Sequence, residues 1–167
     1  MVIAPQESAP VATESRDSQT AVRIYTIGFA GKSAQEFFET LRQQGITRLL
    51  DIRIHNNSQL AGFTKQNDLK YFLGVICNIE YEHLPILAPT EELLKAYRSK
   101  KVDWHYYEQE FIRLMREREV EKRISPQLFA VPTVLLCSEP TAERCHRRLV
   151  AEYLSQHWEQ EVHIVHL

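Results

Sequence analysis

Short apolar runs alternate with longer amphipathic stretches from Arg23 onward. "RIYTI", "RLLDIRI" and "VPTVLLC" are bounded by turn or charged residues, as buried strands are, and "IEYEHLP" and "EVHIVHL" read as shorter strands. Between them the apolar positions recur at helical spacing. "SAQEFFETLRQQG" sets Phe37, Phe38 and Leu41 on one side, with Ser33 and Glu36 spaced as a capping box and Gly45 as a stop. "TKQNDLKYFLGVI" offers Leu69, Phe72, Leu73 and Ile76, and "TEELLKAYRSK" starts at a Thr90 cap. "DWHYYEQEFIRLMREREVEKRI" reads as the longest helix, with Trp104, Tyr107, Phe111, Leu114 and Met115 inward, and "TAERCHRRLVAEYLSQH" as the last one. Strands alternating with helices predict an α/β fold of three layers, a mostly parallel central sheet flanked by helices in the Rossmann-like manner. Met1 to about Thr20 is rich in Ala, Pro, Ser, Thr and Glu and predicts a disordered tail, leaving residues 21–167 as a single domain.

Composition narrows the class without naming it. At 44% hydrophobic and 25% charged, the 167 residues fit an ordinary globular domain. A formal charge of -2 gives no general attraction to nucleic acid or anionic membrane, so any anion site is local. Three cysteines, Cys77, Cys137 and Cys145, are too few for a disulfide framework and point to a reducing cytoplasm. No secretory leader pattern and no run long enough to cross a bilayer is expected.

In parallel sheets ligands bind beyond the carboxyl ends of the strands, so candidate chemistry is sought there. After the first strand, Gly28-Phe29-Ala30-Gly31-Lys32-Ser33 has two residues between its glycines where a nucleotide-hydrolysing loop has four. A tight turn, amides at a helix start and Lys32 remain, enough to hold one anionic group. After the second strand, Asp51 and Arg53 share a face, and His55, Asn56, Asn57, Ser58 and Gln59 make a dense polar loop. A buried structural ion pair is the competing reading of Asp51 and Arg53. The third strand ends at His83, which fits a hydrogen-bonded structural role or a substrate contact.

The fourth strand end carries most. Cys137 closes an apolar strand, Glu139 follows, and Cys145, His146, Arg147 and Arg148 fall in the first turns of the next helix, where amides and cations favour a thiolate. Arg144 follows Cys137 after six residues, against the five of sulfur-transfer and cysteine-phosphatase loops. A zinc site would take Cys137, Cys145, His146 and a further ligand such as His83. No C-x-x-C pair supports it, so no metal is expected.

"TIGFAGKSAQEFF", "LLDIRIHNNSQLAGFTKQNDLKYFL", "IEYEHLPILAPTEELLKAYRSKKVDWHYYEQEF" and "TVLLCSEPTAERCHRRLVAEYL" together resemble the domain of unknown function 488 family, over nearly all of Arg23 to Leu167. The resemblance rests on Thr26-Ile27-Gly28, on Asp51-Ile52-Arg53 with Ser58, on His83-Leu84-Pro85, and on Cys137, Glu139, Cys145, His146 and Arg147. Where relatives carry His-Ser after the first glycine, this chain has Phe29-Ala30, so any work of that histidine falls here to His55 or His83 or is not done. The family implies no settled activity, but it implies a shared site at the strand ends.

The leading expectation is an enzyme acting on a small anionic or nucleotide-like substrate. Arg53, Arg147, Lys32, Ser58 and His83 would bind, Cys137 would be nucleophile or wall, and His146, Asp51 or Glu139 would serve the chemistry. The sequence names no cofactor. Two alternatives are a nucleic-acid-associated module using Lys32, Arg144, Arg147 and Arg148, and a scaffold domain whose polar cluster is a buried ion-pair network.

Overall fold

The computed structural model describes residues 20–57 and 62–167; the expected N-terminal tail and Ser58 lie outside the described residues. Five strands, β1 (Val22–Gly28), β2 (Arg48–Asp51), β3 (Glu80–His83), β4 (Thr133–Cys137) and β5 (Val162–His166), form one sheet in the order β3-β2-β4-β1-β5. Every pairing is parallel. Two helices, α1 (Ala34–Gln43) and α2 (Gln66–Phe72), cover one face. The other face carries α3 (Glu91–Arg98), α4 (Trp104–Glu117), the short α5 (Val120–Arg123) and α6 (His146–His157). The expected three-layer α/β architecture is present. Its strand order differs from the 3-2-1-4-5 of dinucleotide-binding sheets, so the likeness to that class lies in the layers.

Alternation along the strands divides the core. Tyr25, Ile27, Leu49, Val134 and Leu136 face α1 and α2, whereas Ile24, Leu50, Ile52 and Leu135 face α4 and α6. Burial on both faces is what the continuous apolar runs demand, because a parallel sheet needs helices above and below. At the edge, Thr26 Oγ1 lies 2.6 Å from His166 Nδ1. Burial, and then the positive charge of Arg147, lower the pKa of His166. The fold therefore favours neutral His166, and the stability this confers is full above the ordinary pKa and lost as pH falls through the lowered one. An NMR titration of His166 is expected to show a midpoint below 6.5; a midpoint above it would contradict this account.

Local signals account for the elements that came out as expected. Ser33 and Glu36 form the reciprocal capping box of α1, and Gly45, at φ 65, ends it. Thr90 Oγ1 accepts from Leu93 N to start α3. Three expectations are corrected. The long helix over "DWHYYEQEFIRLMREREVEKRI" is two, broken where Glu119 turns left-handed at φ 50. Arg118 there donates to the carbonyls of Ile86 and Ala88, and Val120 is buried, contacts that a continuous helix would not place. The last helix begins at His146 and not near Thr141, with Cys145 extended before it. Beyond α2 the chain widens into a π turn, Leu73–Cys77, which leaves Ile76 exposed although Leu69 and Leu73 are buried.

Candidate functional site

Strand order sets the site. β4 lies between β1 and β2, and the chain leaves β4 toward α6 on one face while leaving β1 and β2 toward α1 and α2 on the other. Connections departing to opposite sides open a crevice at the carboxyl ends of the strands. A cleft of about 870 Å³ occupies it, walled by Phe29 to Lys32 after β1, Ile54 to Asn57 after β2, and Ser138 and Glu139 after β4. It shares Ile54, His55, Arg98, Ser138 and Glu139 with a narrow chamber of about 70 Å³ whose lining includes Arg53, Cys137, Cys145 and His146. A wide body and a narrow end suit a ligand with one slim projecting group.

The chamber floor is a thiol–imidazole centre. Cys137 Sγ lies 3.4 Å from His146 Nδ1, and both residues are buried. On the far side of the ring His146 Nε2 is 2.8 Å from the Ile52 carbonyl oxygen. A carbonyl only accepts, so Nε2 carries a proton and Nδ1 is left facing the sulfur. Burial opposes ionisation of Cys137, but a hydrogen bond from the Cys145 thiol, attraction to His146 and the Glu139 amide together hold its pKa well below the ordinary thiol value. Burial likewise opposes the charged form of His146, and attraction and hydrogen bonding to Cys137 outweigh it, so its pKa rises. Cys145 is pushed up by burial and by its bond to Cys137. The sequence had placed Cys145 inside the helix; its position just before α6, extended at φ -138, is what turns its sulfur back toward Cys137.

Asp51 and Arg53 meet as a buried pair. Arg53 donates from Nε to Asp51 Oδ1 at 2.8 Å and from Nη2 to Asp51 Oδ2 at 2.7 Å, and Tyr81 donates its hydroxyl to Oδ2 at 2.6 Å. With the carboxylate so committed, Asp51 holds Arg53 and lines neither cleft nor chamber. Arg53 also donates to the Thr64 carbonyl and lies over the Phe29 ring at 5.4 Å. Phe29 thus supports the guanidinium. Arg53 Nη1 is buried with no hydrogen-bond partner among the described residues. His83 Nε2 is 2.8 Å from the Arg53 carbonyl oxygen and lines neither cleft nor chamber, a positioning contact.

Arg147 is the largest fully buried side chain. Its Nη1 donates to the Glu139 carbonyl at 2.6 Å and reaches Cys145 Sγ at 3.8 Å, while its Nε has no partner among the described residues. Lys32 stands at the cleft wall, its pKa lowered by partial burial and then by the charge of Arg147. The amides beside it are largely occupied. Ser33 and Glu36 cap each other, Lys32 N–H donates to the Phe29 carbonyl, and Ala30 N–H donates to the Ser138 carbonyl. The loop is a closed turn, with the Lys32 side chain at the cleft wall. Glu139 is exposed and lines both spaces.

Sequence reasoning missed Arg98, Tyr97, Trp104 and Tyr107 as chamber walls, since periodicity marks the aromatics only as core and Arg98 only as a solvated helix face. The Arg98 side chain makes no hydrogen bond or ion pair among the described residues. Among these residues no helix is long and apolar enough to cross a membrane. Neither the curated proteins nor the solved structures contain a match to the chain. Residues 33–154 match the family described as Domain of unknown function DUF488; the match covers β2, β4, the Cys137–His146 centre and most of α6, and begins just after the Gly28 loop. On that match, over well more than half of its length, the chain belongs to the DUF488 family.

Proposed function

We propose that this protein is an enzyme acting on a small anionic substrate, bound in the cleft with its reacting group over Cys137 and His146. The observation that carries the reading is the pairing of a buried thiol–imidazole contact, 3.4 Å long, with Arg53, whose buried Nη1 has no partner among the described residues, in one chamber. A buried unpaired guanidinium N–H is costly, and an acceptor from a ligand removes that cost. Lys32 and Arg98 stand where the rest of an anion would lie, and Glu139 flanks the reacting end. The phosphate-backbone alternative is less well supported. Arg147 is buried and Arg148 is paired with Glu108 and Glu152, so the basic run offers no continuous surface.

Inorganic phosphate, pyrophosphate, nucleoside monophosphates and small dicarboxylates form a test set for thermal shift. A ligand that binds only the folded protein raises its melting temperature by mass action. At least one of these is expected to do so, and the Lys32→Ala/Arg98→Ala double variant is expected to weaken it roughly 10- to 100-fold while its ligand-free melting temperature stays put. Equal shifts in the double variant, or no shift from any anion, would reject the anion cleft.

A further inference from the structure

Three potential ligand atoms meet at the chamber floor, one each from Cys137, Cys145 and His146, all within 4.8 Å of one another and all on buried residues. We infer that Cys137 Sγ, Cys145 Sγ and His146 Nδ1 are a site for a thiophilic divalent cation such as zinc, with the fourth coordination position open to the chamber. The inference deepens the reading above and rests on it only in placing the reaction at the chamber floor.

Four observations carry it. The first is spacing. Tetrahedral zinc, with bonds of about 2.3 Å to sulfur and about 2.0 Å to nitrogen, holds its donors roughly 3.5–3.8 Å apart. The 3.4 Å between Cys137 Sγ and His146 Nδ1 is within a few tenths of that. The second is the far side of the imidazole. A metal-binding histidine donates its other N–H to a fixed acceptor, which sets the tautomer and the ring plane, and the Ile52 carbonyl does so here at 2.8 Å. The third is the surroundings of the sulfurs. Arg147 Nη1 donates to Cys145 Sγ at 3.8 Å. Donors aimed at sulfur suit thiolates, and two thiolates with one neutral imidazole balance a divalent charge.

The fourth is the vacant side. Among the described residues no fourth His, Cys, Asp or Glu joins the cluster, and the chamber of about 70 Å³ gives room for about two waters or one substrate group. Three protein ligands and an open position are the pattern of catalytic zinc, in contrast to closed four-ligand structural sites. Bound there, the ion would polarise a substrate oxygen or lower the pKa of a water, while Arg53 beside it holds the anionic end. The ligand order explains why the sequence hid this. The two cysteines lie on opposite sides of one loop, with seven residues between them, without the C-x-x-C spacing by which zinc sites are usually read.

Reduced full-length protein, stripped with chelator and titrated with cobalt(II) and then zinc, tests the site. One equivalent of cobalt is expected to give the intense absorption of cobalt–thiolate bonds, and zinc is expected to displace it. Cys145→Ser is the informative variant, because Cys145 is needed by the metal site but not by a bare Cys137–His146 pair. It is expected to bind at least about 100-fold more weakly, with circular dichroism and melting temperature showing that it has folded. Cys137→Ser is expected to lose the metal as well. No cobalt band in folded wild type, or undiminished binding by folded Cys145→Ser, would overturn the inference. Either result would leave the anion-induced thermal shift untouched, so a failed metal site and a failed anion cleft are separately visible.

Discussion

Gly28→Ala is expected to lower stability by about 3 kcal/mol or more, the upper end of what overpacking a tight interior costs. For a domain of this size that is a fall in melting temperature of roughly 6–12 °C. A Cβ at this position would stand 1.6 Å from the Glu139 carbonyl oxygen and 2.4 Å from Arg147 Nη1. Neither neighbour can yield cheaply. The carbonyl is main chain and is held by Arg147 at 2.6 Å, and Gly28 is itself in register with Cys137 of β4. To admit a methyl group, the end of β1 must leave β4 or the Ser138–Glu139 turn must lift. The second movement would also open the chamber, so metal and anion binding are expected to weaken along with stability. Gly74→Ala, where nothing lies within 4 Å of the added carbon, is the control and is expected to be neutral or mildly stabilising. A Gly28→Ala protein that melts with wild type would mean that this close approach does not constrain the strand ends.

Asp51→Asn is expected to cost about 3–5 kcal/mol, the usual penalty for removing one partner of a buried ion pair. The amide retains the volume of the carboxylate but not its charge. Arg53, 3% exposed and already with one unpartnered nitrogen, would be left buried without a counter-ion. Urea unfolding should show the loss as a lower midpoint at unchanged slope. Replacing both partners, as in Asp51→Asn/Arg53→Met, is expected to recover much of it, because no charge is then left buried without its counter-ion. That double variant should nevertheless lose the anion-induced shift. A fall below about 1 kcal/mol in Asp51→Asn would show that the pair is not a stabilising element of the fold.

Much of this was legible in the sequence wherever the determinant was local. The capping box at Ser33 and Glu36 involves four consecutive residues, and the buried strands announce themselves as apolar runs. The alternation of Asp51 and Arg53 placed both on one face, and the structure adds that they are partners. The break at Glu119 was hidden because a glutamate in the left-handed region carries no signal of its own; contacts made by Arg118 and Val120 with distant residues select it. The chamber walls were hidden for the same reason. Tyr97, Trp104 and Tyr107 are separated from Cys137 by at least 30 residues, and only the packing of α3 and α4 against the sheet makes them neighbours. The proximity of Cys145 to Cys137 depends on where α6 begins, which helical periodicity fixes poorly.

The strand order also governs when the molecule can fold. β1 and β2, formed early in synthesis, never touch through their backbones; each pairs with β4, which ends at Cys137. A nascent chain that stops short of β4 therefore holds β1 alone and the β2–β3 pair with no strand to join them, and their unpaired edges remain open. Closure waits for a segment more than 100 residues downstream of β1, a long-range step of the kind that slows folding and exposes intermediates to aggregation. The strand that brings Cys137 against His146 is the same one that locks the sheet, so a chain in which that contact has formed has passed its long-range topological step.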